Sequence, residues 1–144
     1  MTSIEDCLKQ SLLKKDVPDQ KKATKSIELA EHKLENAKTN FENGMYEDAT
    51  INAYASMFHS ARAILFRDGY RERSHYALYI YMKERYSNKM KIAYLNELNA
   101  LRGLRHKLIY GDEDVNIRKI HETEADSAIK IAGDFLEVVR KLAL

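Results

Sequence analysis

The sequence predicts an all-α domain: an up-and-down bundle of four long helices plus a short third helix. Three observations point there. Turn-forming residues are scarce, with five glycines and one proline in 144 residues, whereas average usage would supply about 12% of the two together and a sheet protein needs many turns. Apolar residues make up 44% of the chain and charged residues 32%, proportions that suit amphipathic helices around one core. The same numbers exclude disorder, because the charges nearly cancel at +2. Apolar residues also recur at spacings of three and four along most of the chain, the period of a helix face. The length allows one domain.

Residues 1–15 carry a short apolar-polar repeat, Ile4, Cys7, Leu8 and Leu12, which predicts a small leading helix or arm ahead of a main domain spanning 16–144. Asp16-Val17-Pro18-Asp19 interrupts it, since proline disfavours helix in the residue before it and is welcome in a first helical turn. From Pro18 to about Asn43, Ala23, Ile27, Ala30, Leu34, Ala37 and Phe41 form a heptad-like seam. Asn43-Gly44 stops it. A second long helix, from about Tyr46 to Arg67, carries Ile51, Tyr54, Ala55, Phe58, Ala61, Ile64 and Leu65 and ends at Asp68-Gly69. Ser74 caps a third, shorter helix through about Tyr86. After the polar Ser87-Asn88-Lys89 turn, a fourth helix runs from about Ile92 to Ile109 and breaks at Gly111-Asp112-Glu113-Asp114. The last helix, from about Ile117 or slightly later to Leu142, turns Ala125, Ala128, Ile129, Ala132, Leu136, Val139 and Leu142 inward.

Several function classes drop out. The longest notable apolar run, Tyr76 to Met82, is seven residues, far below the ~18–20 that span a bilayer. Glu5 and Asp6 stand where a signal peptide would be basic. A lone Cys7 can form neither an internal disulfide nor a cysteine-based zinc site. The expectation is a cytoplasmic protein with no membrane association, no metal and no cofactor. A net charge of +2 lacks the strong basic excess of a duplex-binding protein, so any nucleic-acid contact must come from a local patch.

One residue is out of character. On the fourth helix Tyr94, Leu98, Leu101, Arg105 and Leu108 follow core spacing, yet the fourth member is an arginine. Burying an unpaired guanidinium costs several kcal/mol, so Arg105 needs a partner or a cavity. Either it pairs with an acid such as Asp48 or enters a subunit interface, or it lines a basic cleft for phosphate with Arg102 and His106 beside it. Six of the nine tyrosines (Tyr70, Tyr76, Tyr79, Tyr81, Tyr86, Tyr94) fall within 25 residues near Arg67, Arg71 and Arg73. Such rings serve a core and a protein interface, or stack bases. Glu72-Arg73-Ser74-His75 has the Glu-x-x-His form of di-iron bundles, but those sites need two such motifs and two further glutamates. His59, mid-helix among apolar neighbours, reads as a satisfied core histidine.

The stretch NGMYEDATINAYASMFHSARAILFRDGY, followed by RSH and then LRGLRHKLIYGD, resembles the HEPN superfamily (higher eukaryotes and prokaryotes nucleotide-binding), in particular its small prokaryotic members. The likeness covers roughly residues 26 to 140. It implies a homodimeric bundle and, for many members, a ribonuclease or toxin paired with a minimal nucleotidyltransferase. Its catalytic signature is an arginine, four to six residues, then a histidine. Here the signature is degenerate: Tyr110 stands where a histidine is called for after Arg105, and His106 follows Arg102 after only three residues. Metal-independent RNA cleavage needs groups that accept and donate protons near pH 7, which histidine does and a tyrosine with pKa about 10 does poorly. The resemblance thus gives Arg105, Tyr110 and His106 as catalytic positions, while the basic cluster on the fourth helix (Arg102, Arg105, Lys107) and the arginines beside the tyrosines (Arg71, Arg73) are the candidate nucleotide- or RNA-binding residues. Three readings follow: a dimeric nucleotide-, RNA- or partner-binding module, a ribonuclease that uses Arg102, Arg105 and His106, or a purely structural bundle with no ligand. Because a tyrosine-rich third helix and a core-position arginine exceed what one bundle encloses, light scattering is expected to return about twice the 16.7 kDa chain mass. A monomer mass at micromolar concentration would overturn the dimer.

Overall fold

The protein, described here from a computed structural model that covers residues 2–144, is a helical bundle with one small antiparallel ribbon. In chain order the elements are α1 (Ile4–Lys9), β1 (Leu13–Lys15), α2 (Gln20–Glu42), α3 (Tyr46–Asp68), β2 (Tyr70–Glu72), α4 (His75–Tyr86), α5 (Ile92–Tyr110) and α6 (Glu122–Ala143). The four long helices and the short helix among them match the fold class expected from the sequence. The tight Asn43-Gly44-Met45 connection makes α2 and α3 an antiparallel pair. Helix α6 packs against both, and α5 lies against α3 and α4.

Local chemistry fixes the helix ends. The Asp19 carboxylate accepts the Lys22 N–H to start α2, and the Ser74 hydroxyl accepts the Ala77 N–H to start α4. Gly69 ends α3 with φ +84, and a Cβ there would meet the Asp16 carbonyl at 2.8 Å and the Pro18 ring at 3.1 Å. No other residue serves both the left-handed turn and this close crossing. The last helix begins at Glu122, later than Ile117, which is 85% exposed in the preceding segment. The start lies where a capping box forms: Glu124 reaches back to the His121 N–H.

The seam expected on α2 is buried from Ala23 to Ala37, while Phe41 is half-buried beyond the core. Leu95 and Phe135, both fully buried, join the core in addition to the residues expected on α5 and α6. The ribbon was not expected. Its register pairs Leu13 with Glu72, Lys14 with Arg71 and Lys15 with Tyr70. Two three-residue strands more than fifty residues apart carry no alternation long enough to read, and pairing follows from the Asp16–Pro18 crossing over Gly69. The ribbon ties the N-terminal segment to the bundle, where Ile4, Cys7 and Leu13 are buried.

Of the clustered tyrosines, Tyr79, Tyr81 and Tyr86 are buried, Tyr70 and Tyr94 half-buried, and Tyr76 exposed. Tyr81 and Tyr86 both donate their hydroxyls to Asp68 Oδ2, at 2.7 and 2.6 Å. Burial and this shared carboxylate push both phenols well above their ordinary value. Asp68→Ala strands two buried hydroxyls and is expected to lower stability by about 2–4 kcal/mol, checked by denaturant unfolding. A change near zero would show that water replaces the carboxylate.

Candidate functional site

The α5 seam buries Leu95, Leu98 and Leu101 and then reaches Arg105, which is only half-buried. Across from it, α3 contributes Tyr54, whose hydroxyl lies 2.6 Å from Nδ1 of His75, the first residue of α4. Phe58, one turn along α3, stacks on the same imidazole with centroids 4.2 Å apart. The Arg105 guanidinium sits 6.0 Å from the Tyr54 ring centre. That of Arg102 sits 5.2 Å from the Tyr76 ring centre, and its Nε and Nη2 both donate to Asn99 Oδ1, at 3.3 and 2.9 Å. Two guanidiniums on adjacent turns thus stand over aromatic faces where α3, α4 and α5 meet.

The charge balance is one-sided. Among the described residues no carboxylate lies within ion-pair distance of Arg102 or Arg105. The Asp48 pairing considered for Arg105 therefore does not form: Arg105 stops short of full burial and so needs no carboxylate. Burial pushes Tyr54 up to about 12, against the pull of Arg105 and Arg102. Burial also lowers His75, and Arg105, Arg102 and Arg62 lower it further. Near neutral pH the pair is an uncharged imidazole held by a protonated phenol. Either Tyr54 donates to Nδ1 and the imidazole hydrogen sits on Nε2, or Nδ1 donates and Nε2 is the free base.

The other candidates are dispersed. His106 is exposed and lies against Tyr110, centroids 4.8 Å apart, with Tyr110 itself 64% exposed. Lys107 is exposed and, with Tyr110, borders a shallow groove beside Glu47 and Asn116. Arg71 sits on the ribbon and pairs with Asp16 at 3.5 Å; Arg73 follows it, exposed. In the Glu72–His75 motif the two side chains are engaged separately, Glu72 with Arg62 at 2.5 Å and His75 with Tyr54. His59 departs from its expected role. It is half-buried, its Nδ1 has no partner, and burial with the nearby Arg62 holds it at about 4.

Over residues 23–142 the chain matches the HEPN domain family. It belongs to that family. It is 32% identical over 142 residues to a Methanocaldococcus jannaschii protein named "Putative toxin MJ0605", covering 92% of this chain and 95% of that one. Over 60 residues it is 40% identical to "UPF0332 protein PH1297" of Pyrococcus horikoshii, 42% of this chain and 41% of that one. Tyr54, His75 and Asn99 are the site members of this HEPN protein that sequence reasoning passed over. The available signal was the RSH tripeptide, Arg73-Ser74-His75, four residues after Gly69, where the Ser74 cap puts a histidine at a helix start.

Lowered histidines tie stability to pH. The unfolded chain takes up protons near 6.5 while the folded chain resists until lower pH. Their contribution is therefore complete above about 6.5 and is lost as pH falls through the folded values, about 4 for His59. In NMR titrations His75 is expected to have a midpoint below 6.5 that rises in Arg105→Ala. An unshifted midpoint in that variant would show that Arg105 does not act on the imidazole.

Proposed function

We propose that this HEPN protein is a dimeric phosphate-binding module, gripping RNA or a nucleotide through Arg102 and Arg105, in a toxin–antitoxin-like pair with a minimal nucleotidyltransferase. The observation that carries the binding role is the pair of half-buried guanidiniums left without carboxylates against the Tyr54 and Tyr76 rings. Arginines in that state hold phosphate bidentately. The pairing with a nucleotidyltransferase and the homodimer rest on the family resemblance, and the toxin-like setting on the name carried by the M. jannaschii relative. In the dimer the two Arg105–Tyr110 segments border one shared cleft. Catalysis through α5 alone is disfavoured, because His106 lies tilted against Tyr110 at the exposed side and Tyr110 takes the histidine's place.

One observation favours the second reading, a metal-independent ribonuclease. His75 supplies a neutral imidazole from α4, oriented by Tyr54, in the field of both arginines. A group of that kind can exchange a proton with a ribose hydroxyl near pH 7.

Arg102→Ala and Arg105→Ala are each expected to weaken binding of a short single-stranded RNA about tenfold or more, the worth of a charged hydrogen bond. Their thermal midpoints should hardly move, because no buried carboxylate is stranded. Unchanged affinity in both variants would remove the arginine pair from the site. Metal-free incubation with RNA should give little cleavage by the native protein, and Tyr110→His should raise it if the scaffold is otherwise an intact nuclease. Robust native cleavage abolished by His75→Ala would establish the second reading. Cleavage abolished by His106→Ala instead would return the chemistry to α5.

A further inference from the structure

On the neighbouring flank of α3, toward α2 and the ribbon, lies a cavity of about 270 Å³. Lys22 and Lys25 enter it from α2, His59 and Arg62 from α3, and Arg71 from β2. An adjoining depression of about 250 Å³ shares Lys22 and Arg71, as well as Phe66, and adds Pro18, Tyr70 and the acidic Asp16 and Asp19, the first paired with Arg71 and the second capping α2. We propose that the Lys22–Lys25–Arg71 cavity is a second phosphate site, separate from the α5 arginines, which takes the phosphate of a nucleotide, free or within an RNA strand.

Charge is concentrated here beyond what folding needs. Arg62 is matched by Glu72, whose side chain is 6% exposed, but among the described residues neither Lys22 nor Lys25 has a carboxylate in ion-pair range. Lys22 and Arg62 both lie over the Phe66 ring, at 5.4 and 5.2 Å from its centre. Arg71 has only the exposed Asp16 at 3.5 Å and is held directly across the ribbon from Lys14. Like charges face to face across two strands are destabilising. The cavity wall also contains His59, whose Nδ1 is buried without a partner.

Three elements thus converge cations on one concavity, and an anion relieves their repulsion where water relieves it less. The donor set favours phosphate over a carboxylate. Ammonium and guanidinium groups arriving from α2 and β2 on different sides require acceptor oxygens in several directions, which a tetrahedral anion has. The adjoining depression past Pro18 and Tyr70, with Asp16 and Asp19 at its edge, suits the uncharged sugar and base attached to that phosphate and not a further phosphate.

The full chain is titrated with inorganic phosphate, with AMP and with a single-stranded RNA hexamer, while the His59 and His75 ring signals are followed by NMR. The expected result is a saturable shift of His59 with phosphate and AMP, and a rise of its midpoint from about 4 as the anion offsets the cations around it. Lys22 and Lys25 are exposed on α2, so the double variant Lys22→Ala/Lys25→Ala should fold normally. It should weaken the His59 response at least tenfold and leave the His75 response intact. Arg102→Ala/Arg105→Ala should do the reverse, which keeps failure here distinct from failure of the α5 site. AMP binding as tightly as RNA identifies a mononucleotide site; tighter, strongly salt-dependent RNA binding identifies a strand contact. No saturable His59 response to any probe, or a double variant that titrates like the native chain, overturns the proposal.

Discussion

Close packing of α2 on α3 is the constraint on which both basic surfaces depend. Alanine at Ala23, Ala30 and Ala37 on one helix, and at Ala49, Ala53 and Ala61 on the other, keeps buried side chains short. The backbones come within reach of a serine: Ser26 donates to the His59 carbonyl at 2.7 Å and Ser56 to the Ala30 carbonyl at 2.8 Å. These hydroxyls are buried and satisfied, so they lock the axial register of the two helices as well as their separation. With α3 fixed, its flanks acquire different work. Tyr54 and Phe58 meet His75 at the start of α4, while His59, Arg62 and Phe66 form the wall of the cavity toward the ribbon.

A chain of net charge +2 becomes locally basic because some of its acids are spent inside. Asp68 accepts from two buried tyrosines, and Glu72 is committed to Arg62. Glu72 offsets Arg62 alone and Asp68 faces Arg67 at 3.8 Å, so neither carboxylate reaches Lys22, Lys25, Arg102 or Arg105. Two of the five histidines are then held neutral, in both cases by burial first and by neighbouring arginines second. A neutral imidazole at such a place can donate and accept, where a charged one would only donate and would repel its own surroundings. The positive potential is therefore carried by fixed guanidiniums and lysines and does not vary with pH near 7.

Helix positions were legible because periodicity and end signals agree: the α2 seam, the Gly69 stop and the Ser74 cap all stand where the pattern put them. Arg105 was legible as an anomaly, since a guanidinium in an apolar stripe contradicts its position. Its partners were not. Tyr54 and His75 are 21 residues apart, and only the turn at Gly69 with the ribbon after it folds α4 back so that they meet. His59 misled for the same reason. Sequence spacing shows that a residue shares a face with apolar neighbours, but not that its ring nitrogen lacks a partner. Arg71 and Arg73, close in sequence to the tyrosine cluster, were grouped with α5 although the ribbon carries them toward α2.

Register along α5 decides which groups can act together. At about 100° per residue, His106 lies about 40° from Arg102 around the helix, and Tyr110 about 140° from Arg105. Two stripes result. Leu98, Leu101 and Arg105 face the bundle, so Arg105 is the member aimed at Tyr54 and His75. Asn99, Arg102, His106 and Tyr110 run along the outer side, where Asn99 holds Arg102 and Tyr110 lies tilted against His106. A histidine in place of Tyr110 would therefore join the outer stripe beside His106 and not the Tyr54–His75 side that Arg105 faces. Any proton transfer next to Arg105 within one chain falls to the imidazole that α4 supplies, whereas chemistry on the outer stripe needs a surface laid against it. The helix thus separates a contact made within one chain from one made between molecules, and the arginines on adjacent turns are what the two stripes share.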